Sequence, residues 1–396
     1  MSHGNSPVKT ESEWDPSRCV GQGIASVTGQ GTPPGLEKMK PFEPRDFHLE
    51  DYPDIDPRYL SLNIVSSVAL PPSQSGIPQE AWLPVEWYRE SGGSSVIEPN
   101  SVTEDNSRTY HGYKEGKYFL PNDAAEQDRL DLDHYSSRIM LQDRLYLAPI
   151  RSPKRVLDLA TGTGIWPMKF DDGRCGNDNS NSPGTSRLPC DRDGLEQIQP
   201  EHPPANLQFI RDDAEEPWEF GPEKLNFIHA RYACTCFDNP KAVMQQAFEN
   251  LKPGGWIEYC DSTVDVLSMD GSSRGTTLEH WGELMMTGAQ TTGRDFRVSR
   301  HYKQWLEEVG FIDVVERKIA GAVGPWCKSA RLKQMGGVTA RALYDNVTGM
   351  SYELFRNAGF TPEQIDELAA RFRADLLNSA IHAYFPVWVV YGRKPE

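Results

Sequence analysis

Apolar positions beyond residue 150 alternate between two spacings. Short apolar runs with the length of buried strands occupy residues 155–159, 207–210, 225–229 and 256–259. Between the last two, residues 241–251 place Val243, Met244 and Phe248 on one helical face. Strands that alternate with helices predict an α/β fold built on a parallel sheet.

Longer helical patterns flank this region. Residues 124–147 have a helical pattern that Pro149 and Pro153 end, and residues 276–309 and 329–377 are also predicted as mostly helical. Strands are predicted at 311–318 and 386–391. We therefore predict one domain over residues 106–396, with a helical lead-in (121–148), a cofactor-binding core (154–262) and a helical substrate cover with closing strands (276–394).

Residues 1–105 lack a sustained apolar period and are rich in Pro, Gly, Ser and acids. Such a composition buries too little apolar surface to offset the entropy of ordering, so we predict a largely disordered extension. The apolar stretches 60–70 and 81–88 are exceptions that could dock on the domain or bind a partner.

Composition narrows the function classes. The formal net charge of −16 gives no general attraction to nucleic acid or anionic lipid, so no direct nucleic-acid binding is expected. No apolar run is long enough to span a bilayer and the polar N-terminus is no secretory signal, so no membrane association is expected. Seven scattered cysteines, without metal-ligand spacing, predict an intracellular, reducing location and no zinc site.

The most informative motif spans residues 155–166, RVLDLATGTGIW, in which a strand ends in Asp158 and a glycine-rich turn leads into a helix. This arrangement holds a nucleotide-like cofactor at the edge of a parallel sheet. A carboxylate at that position would repel a dinucleotide pyrophosphate, whereas it could receive the ammonium of S-adenosyl-L-methionine. The amides from Thr161 to Gly164 could then approach the methionine part. The motif therefore indicates a methyltransferase.

Further segments carry a resemblance over residues 108–394. They are YH (110–111), KYFLPND (117–123), EQDRLD (126–131), DDAE (212–215), LKPGGW (251–256), GRDF (293–296) and HAYFP (382–386). With the glycine-rich turn, the chain resembles class I S-adenosylmethionine-dependent methyltransferases, and within them the fungal LaeA-like, velvet-associated group.

The resemblance implies a Rossmann-like sheet, mostly parallel with an antiparallel last strand, helices on both faces and the cofactor at the carboxyl ends of the first strands. It places Asp158, Gly162 and Gly164 around the methionine part of the cofactor. Asp213 is expected to accept from the adenine amino group and the Ala214 amide to donate to the ring. The segment 229–234, beginning at His229, is expected to line the cleft.

Two positions depart from the family pattern. Ala160 replaces the first glycine; if this position needs a positive φ, its methyl group has a cost, and we expect weakened cofactor binding. Residues 171–195 contain no β-rich apolar run where the family has a second strand ending in the ribose-binding acid. Asp193 could take that role after a small register shift; alternatively, the segment is a loop that replaces the strand or translated non-coding sequence.

The sequence assigns no catalytic residue. Methyl transfer from a sulfonium can rely on positioning, and a general base is needed only for an acceptor proton of high pKa. His134, His229, Tyr118, Glu258 and His382 are candidates, each more readily explained by a structural role. Three tryptophans are candidates for shaping an apolar acceptor pocket: Trp281, Trp305 and Trp326.

Four functional hypotheses remain open. The first is a methyltransferase of fungal secondary metabolism acting on an unidentified small-molecule acceptor. The second is a regulatory methyltransferase-fold protein acting through velvet-type protein partners, and the third is a cofactor-free binding module. A nicotinamide-dependent dehydrogenase is the weakest, because Ile165-Trp166-Pro167 stands where a third glycine would follow Gly164.

Overall fold

The computed structural model describes residues 102–105, 108–111, 119–171, 188–193, 198–200, 202–218, 220 and 224–396. Residues 1–101 of the extension predicted to be largely disordered, which include both of its apolar stretches, lie outside the described residues, as does Tyr118. No helix in the described part of the chain is both long and apolar enough to cross a membrane.

Helices and strands alternate as the sequence predicts. The strands are β1 (Val102–Asp105), β2 (Arg108–His111), β3 (Val156–Leu159), β4 (Leu188–Asp193), β5 (Leu207–Asp212), β6 (Leu225–Arg231), β7 (Leu251–Ser262), β8 (Leu267–Ser268), β9 (Ile312–Ala322) and β10 (Ala383–Arg393). The helices are α1 (Ala124–Met140), α2 (Ile165–Asp171), α3 (Pro240–Asn250), α4 (Thr277–Thr291), α5 (Tyr302–Val309), α6 (Ala330–Asn357) and α7 (Pro362–Leu376), with a 3₁₀ turn at Val298–His301.

The main sheet has the order β3-β6-β7-β10-β8, and β9 also pairs with β10. Strands β3, β6 and β7 are parallel, whereas the last strand, β10, runs antiparallel to its neighbours β7, β8 and β9. Strands β4 and β5 form a parallel pair, and β4 packs against β3. The predicted fold class is therefore confirmed.

Both faces of the sheet are covered. Every second side chain along β3 and β6 points to the same face of the sheet. On one face these side chains, including Leu157 and Ile228, pack against α3 and α5. On the opposite face Val156 and Phe227 pack against Trp166 of α2. A separate core joins α4, α6 and α7, where Trp281 donates a hydrogen bond from its indole to Ser351 (2.7 Å). The predicted helical cover therefore has an apolar core of its own.

Helix α1 ends earlier than predicted. Asp123 caps its start by accepting from the Glu126 amide, but the helix stops at Met140 rather than at residue 147. Gln142 and Asp143 follow with positive φ values of 59° and 62°, which break the helical path. The apolar positions 141–148 are buried as an irregular segment, so their spacing imitated a helix without forming one.

The second strand is present. Residues 188–193 form β4 in register with β5, pairing Leu188 with Leu207 and Asp193 with Asp212. Of the alternatives considered for this segment, the one in which a loop replaces the strand is therefore wrong. The strand was not predicted from the sequence because it is short and polar and includes Pro189. It forms because β5 pairs with it, although its composition does not favour a strand.

Candidate functional site

The turn between β3 and α2 is built from alternate left-handed residues. Ala160, Gly162 and Gly164 have φ values of 50°, 57° and 80°, and the Gly164 amide bonds back to the Thr161 carbonyl (3.1 Å). A Cβ on Gly164 would lie 2.5 Å from the Phe209 ring, so a side chain has no room there. The conformation of this turn therefore depends on small residues, which leave its backbone uncovered by side chains.

Ala160 occupies the backbone conformation that the sequence analysis suspected. Its φ is positive, which costs an L-amino acid roughly 1–2 kcal/mol relative to glycine. The residue packs partly buried against the core under α3. The fold accommodates the alanine, and its strain lies within the predicted cofactor turn.

Asp158 and His229 form a buried pair at the ends of neighbouring parallel strands. The Asp158 carboxylate accepts from Thr161 Oγ1 (2.7 Å) and faces His229 Nδ1 at 2.6 Å. Burial lowers the pKa of His229, although the hydrogen bond and charge of Asp158 oppose this. A neutral imidazole therefore donates from Nδ1, and its ring stacks on Trp166 at 4.0 Å and 8°.

This pair leaves acceptor capacity. Each carboxylate oxygen of Asp158 has two lone pairs, of which the two contacts use one each. The buried Nε2 of His229 has no hydrogen-bond partner among the described residues. Asp158 thus braces the turn through Thr161 while retaining sites for a positively charged group.

The turn after β5 is equally well braced. The Asp213 side chain, which is buried, accepts from the Glu215 amide (3.0 Å). The carbonyl of fully buried Ala214 accepts from the Trp218 indole (2.8 Å) and the Gln246 amide (3.0 Å). Strand β4 ends at Asp193, of which the structure describes only the backbone. The predicted residues thus occupy the carboxyl ends of parallel strands.

Helix α1 lies against the glycine-rich turn. Thr163 Oγ1 donates to Asp131 (2.6 Å), and Leu130 would be 3.5 Å from a Cβ on Gly162. From another direction, Gln199 donates to the Gly162 carbonyl (2.5 Å). Neither Asp131 nor Gln199 was predicted as a site residue. For Asp131, the available signal in the sequence was a polar residue within a helix that precedes the motif.

A cavity of about 150 Å³ adjoins this turn through Leu130. Its walls come from α1, the segment after β6, the end of β7 and the helical cover. The apolar lining residues include Leu120, Leu130, Met140, Val264, Trp281, Phe296, Met335, Leu343, Met350, Phe385 and Val387. Of the three candidate tryptophans only Trp281 lines the cavity, whereas Trp305 packs beneath the sheet and Trp326 donates to the Ala383 carbonyl.

The remaining catalytic candidates make structural contacts. His134 accepts from Arg231 at Nδ1 (2.9 Å), and burial holds its pKa well below the usual value. Glu258 accepts from the Leu147 and Ala148 amides at 2.8 and 2.5 Å, and burial raises its pKa to about 8. His382 pairs with Asp270 (2.6 Å). None of these three lines the cavity in the described part of the chain.

Comparisons with known proteins match the chain to methyltransferases. The family model described as "Methyltransferase domain" matches residues 132–316. Methyltransferase pytC of Aspergillus terreus is 33% identical over 291 residues, which cover 73% of this chain and 86% of that protein.

Two further relatives come from fungal secondary metabolism. Protein-methionine methyltransferase laeA of Emericella nidulans is 29% identical over 322 residues, covering 79% of this chain and 83% of that protein. Secondary metabolism regulator LAE1 of Cochliobolus heterostrophus is 29% identical over 322 residues, covering 77% and 99%. The chain therefore belongs to the LaeA-like family of methyltransferases and is an S-adenosylmethionine-dependent methyltransferase.

Proposed function

We propose that the braced turns at the ends of β3 and β5, together with the end of β4, hold S-adenosylmethionine, and that the adjoining cavity holds a small-molecule methyl acceptor. The observation that carries the proposal is the row of left-handed residues at 160, 162 and 164 beside a buried carboxylate. A backbone that no side chain shields lets a ligand approach its amides closely. The remaining lone pairs of Asp158 suit an ammonium.

Each predicted site residue has a role in this proposal. Thr161, with Ala160, Gly162 and Gly164, shapes the turn around the methionine part, while Asp158 receives its ammonium. Asp193 contacts the ribose hydroxyls. Asp213 and Ala214 hold the adenine. His229 orients the Asp158 carboxylate from the neighbouring strand.

In this proposal the chain contributes to catalysis first by positioning the two reactants. S-adenosylmethionine supplies a methyl group on a sulfonium, which is electrophilic without further activation by the protein. Holding an acceptor at a fixed distance and angle lowers the entropic part of the barrier. The largely apolar lining of the cavity lowers the dielectric constant around the acceptor, which strengthens electrostatic interactions there.

A second candidate is regulation through a protein partner. Its support is that laeA and LAE1, relatives of this chain, are named as regulators of secondary metabolism. A velvet-type partner and a protein acceptor would follow from that relationship. The mostly apolar lining of the cavity is the observation that favours the small-molecule acceptor.

Isothermal titration with S-adenosylmethionine and S-adenosylhomocysteine tests the cofactor assignment. We expect Gly164→Ala to weaken binding at least about tenfold, or about 1.4 kcal/mol, because the methyl group displaces the turn from Phe209. Gly275→Ala is the matched control: Gly275 has a φ of 69°, but no atom lies within 4 Å of its added Cβ. The control should retain parental affinity. Equal binding by a folded Gly164→Ala variant would refute the assignment.

A further inference from the structure

The acceptor cavity contains ionisable side chains among apolar ones. In the described lining, four residues can carry charge or lose a proton: Arg129, Asp133, Tyr232 and Cys234. Arginine remains a cation, and burial raises the pKa of the Tyr232 phenol and of the Cys234 thiol, so both stay protonated. Asp133 is thus the basic group that this part of the cavity offers.

The contacts of Asp133 leave one oxygen available. Arg129 Nη1 donates to Asp133 Oδ2 (2.5 Å), and no described residue donates to Oδ1. The Asp133 side chain is 20% exposed, although it belongs to a helix whose neighbouring polar side chains are mostly buried. Asp133 therefore lines the cavity with a carboxylate whose Oδ1 accepts from no described residue.

Arg129 only partly neutralises Asp133. The same guanidinium binds Glu126 through two bonds, Nε to Oε2 (2.8 Å) and Nη2 to Oε1 (2.6 Å). One cation is thus shared between two carboxyl groups. Burial also raises the pKa of Asp133 above its ordinary value, against the opposing effect of Arg129 and Arg231. Asp133 is consequently a stronger hydrogen-bond acceptor and base than a surface carboxylate.

The remaining lining defines the size and polarity of the occupant. Trp281, Phe296 and Phe385 provide aromatic surfaces, and Met140 and Met335 are adaptable thioethers that pack well on rings. A volume of about 150 Å³ is the size class that holds one benzene ring in an engineered protein cavity.

We propose that Asp133 binds the reacting group of the methyl acceptor, and that this acceptor is an apolar single-ring moiety bearing an O–H or N–H. This inference rests on the proposed function, because it assigns the acceptor for the same site. The acceptor's lone pair forms the new bond to the methyl carbon as the sulfonium–methyl bond breaks. The proton of its O–H or N–H passes to Asp133 Oδ1, and S-adenosylhomocysteine and the methylated acceptor leave.

The test compares phenol, aniline and toluene, which share a ring and differ in the hydrogen they can donate. Each is titrated into the full-length protein saturated with S-adenosylhomocysteine, with binding followed by NMR. We expect phenol or aniline to lose about five- to tenfold in affinity in Asp133→Asn, since a hydrogen bond to a charged acceptor is stronger than one to a neutral amide. Toluene should bind the parent and the variant alike.

Asp345→Asn is the control, because Asp345 pairs with Arg341 on the outer face of α6. It should leave all three affinities unchanged. The proposal is overturned if toluene binds the parent as tightly as both hydrogen-bond donors, if Asp133→Asn weakens toluene equally, or if none of the three binds.

Transfer of a labelled methyl group to phenol or aniline provides the second readout. We expect Asp133→Asn to slow it by at least about 100-fold, the usual contribution of a general base. Label transfer that survives in the variant, or is absent in a parent that binds the ring compounds, overturns the assignment of Asp133. Affinity for S-adenosylmethionine, measured in the same samples, tests the proposed function separately. If the parent does not bind S-adenosylmethionine, the cofactor site is refuted, whereas the site proposed for the ring compound is not.

Discussion

At the residue scale, one side chain places backbone strain in the glycine-rich turn. Ala160 adopts a φ of 50°, a region in which glycine has no steric penalty. The sequence could indicate this, because an alanine stood where the related motif has glycine. The sequence could not indicate that Thr161 and His229 both bind the carboxylate of Asp158, since these contacts depend on how β3 and β6 pair.

Ala160→Gly is expected to stabilise the protein. Removal of the methyl group relieves roughly 1–2 kcal/mol of left-handed strain, and the greater freedom of glycine in the unfolded chain offsets about half of this. Urea unfolding should therefore show a gain of about 0.5–1 kcal/mol, accompanied by tighter binding of S-adenosylhomocysteine. Ala370→Gly, on the exposed side of α7, should instead lose about 1 kcal/mol. A loss of stability in Ala160→Gly would contradict the strain argument.

At the element scale, the sequence predicted most helices and strands but not where each one ends. Alternating apolar runs gave β3, β6 and α3, because buried strands and an amphipathic helix have distinct periods. Helix α1 was predicted to be too long because the residues after Met140 are also apolar, although they form no helix. They fill the space beneath α2, and Glu258 of β7 binds the amides of Leu147 and Ala148.

Helix α1 also has a role that its sequence pattern did not show. It connects the glycine-rich turn to the cavity: Asp131 accepts from Thr163 of the turn, while Asp133, two residues further on, lines the cavity. Residues two apart in a helix point to different sides, so one helix can serve both sites. The contact between helix and turn appears only once the chain has folded.

Thr163→Val tests whether α1 stabilises the turn. Valine has nearly the shape of threonine but cannot donate to Asp131, so the variant should lose about 1–3 kcal/mol of folding free energy. Hydrogen exchange should increase at the amides of the turn, and affinity for S-adenosylhomocysteine should fall. Thr287→Val is the control: this exposed hydroxyl of α4 donates to the Glu283 carbonyl of its own helix. If both variants behaved alike, the contact with Asp131 would have no special role.

At the scale of the whole molecule, the candidate site forms where three parts of the chain meet. The sheet supplies the turns, α1 lies against one of them, and helices α4 and α6 of the cover supply the far wall of the cavity. The sequence predicted the sheet and the existence of a helical cover. It could not identify the cavity, because residues as distant as 120 and 387 line it and no local period links them.

Global stability should also depend on one buried carboxyl group. Burial raises the pKa of Glu258 from 4.5 to about 8, against the opposing effect of the Ala148 and Leu147 amides. The folded state therefore binds this proton more tightly than the unfolded state does. By linkage, the contribution of Glu258 to the free energy of unfolding must fall as pH rises from 4.5 through 8.

Glu258→Gln should remove that dependence. Glutamine keeps the carbonyl that accepts from the backbone amides but does not titrate. Between pH 6.5 and 8 the parent should lose about 1.5 kcal/mol more than the variant, as measured by urea unfolding at closely spaced pH values. Glu249→Gln, which replaces an exposed carboxylate on α3, should keep the parental slope. If the parent and Glu258→Gln had parallel profiles, Glu258 would already be ionised below pH 6.5, and its charge would be held by the amides of the segment that follows α1.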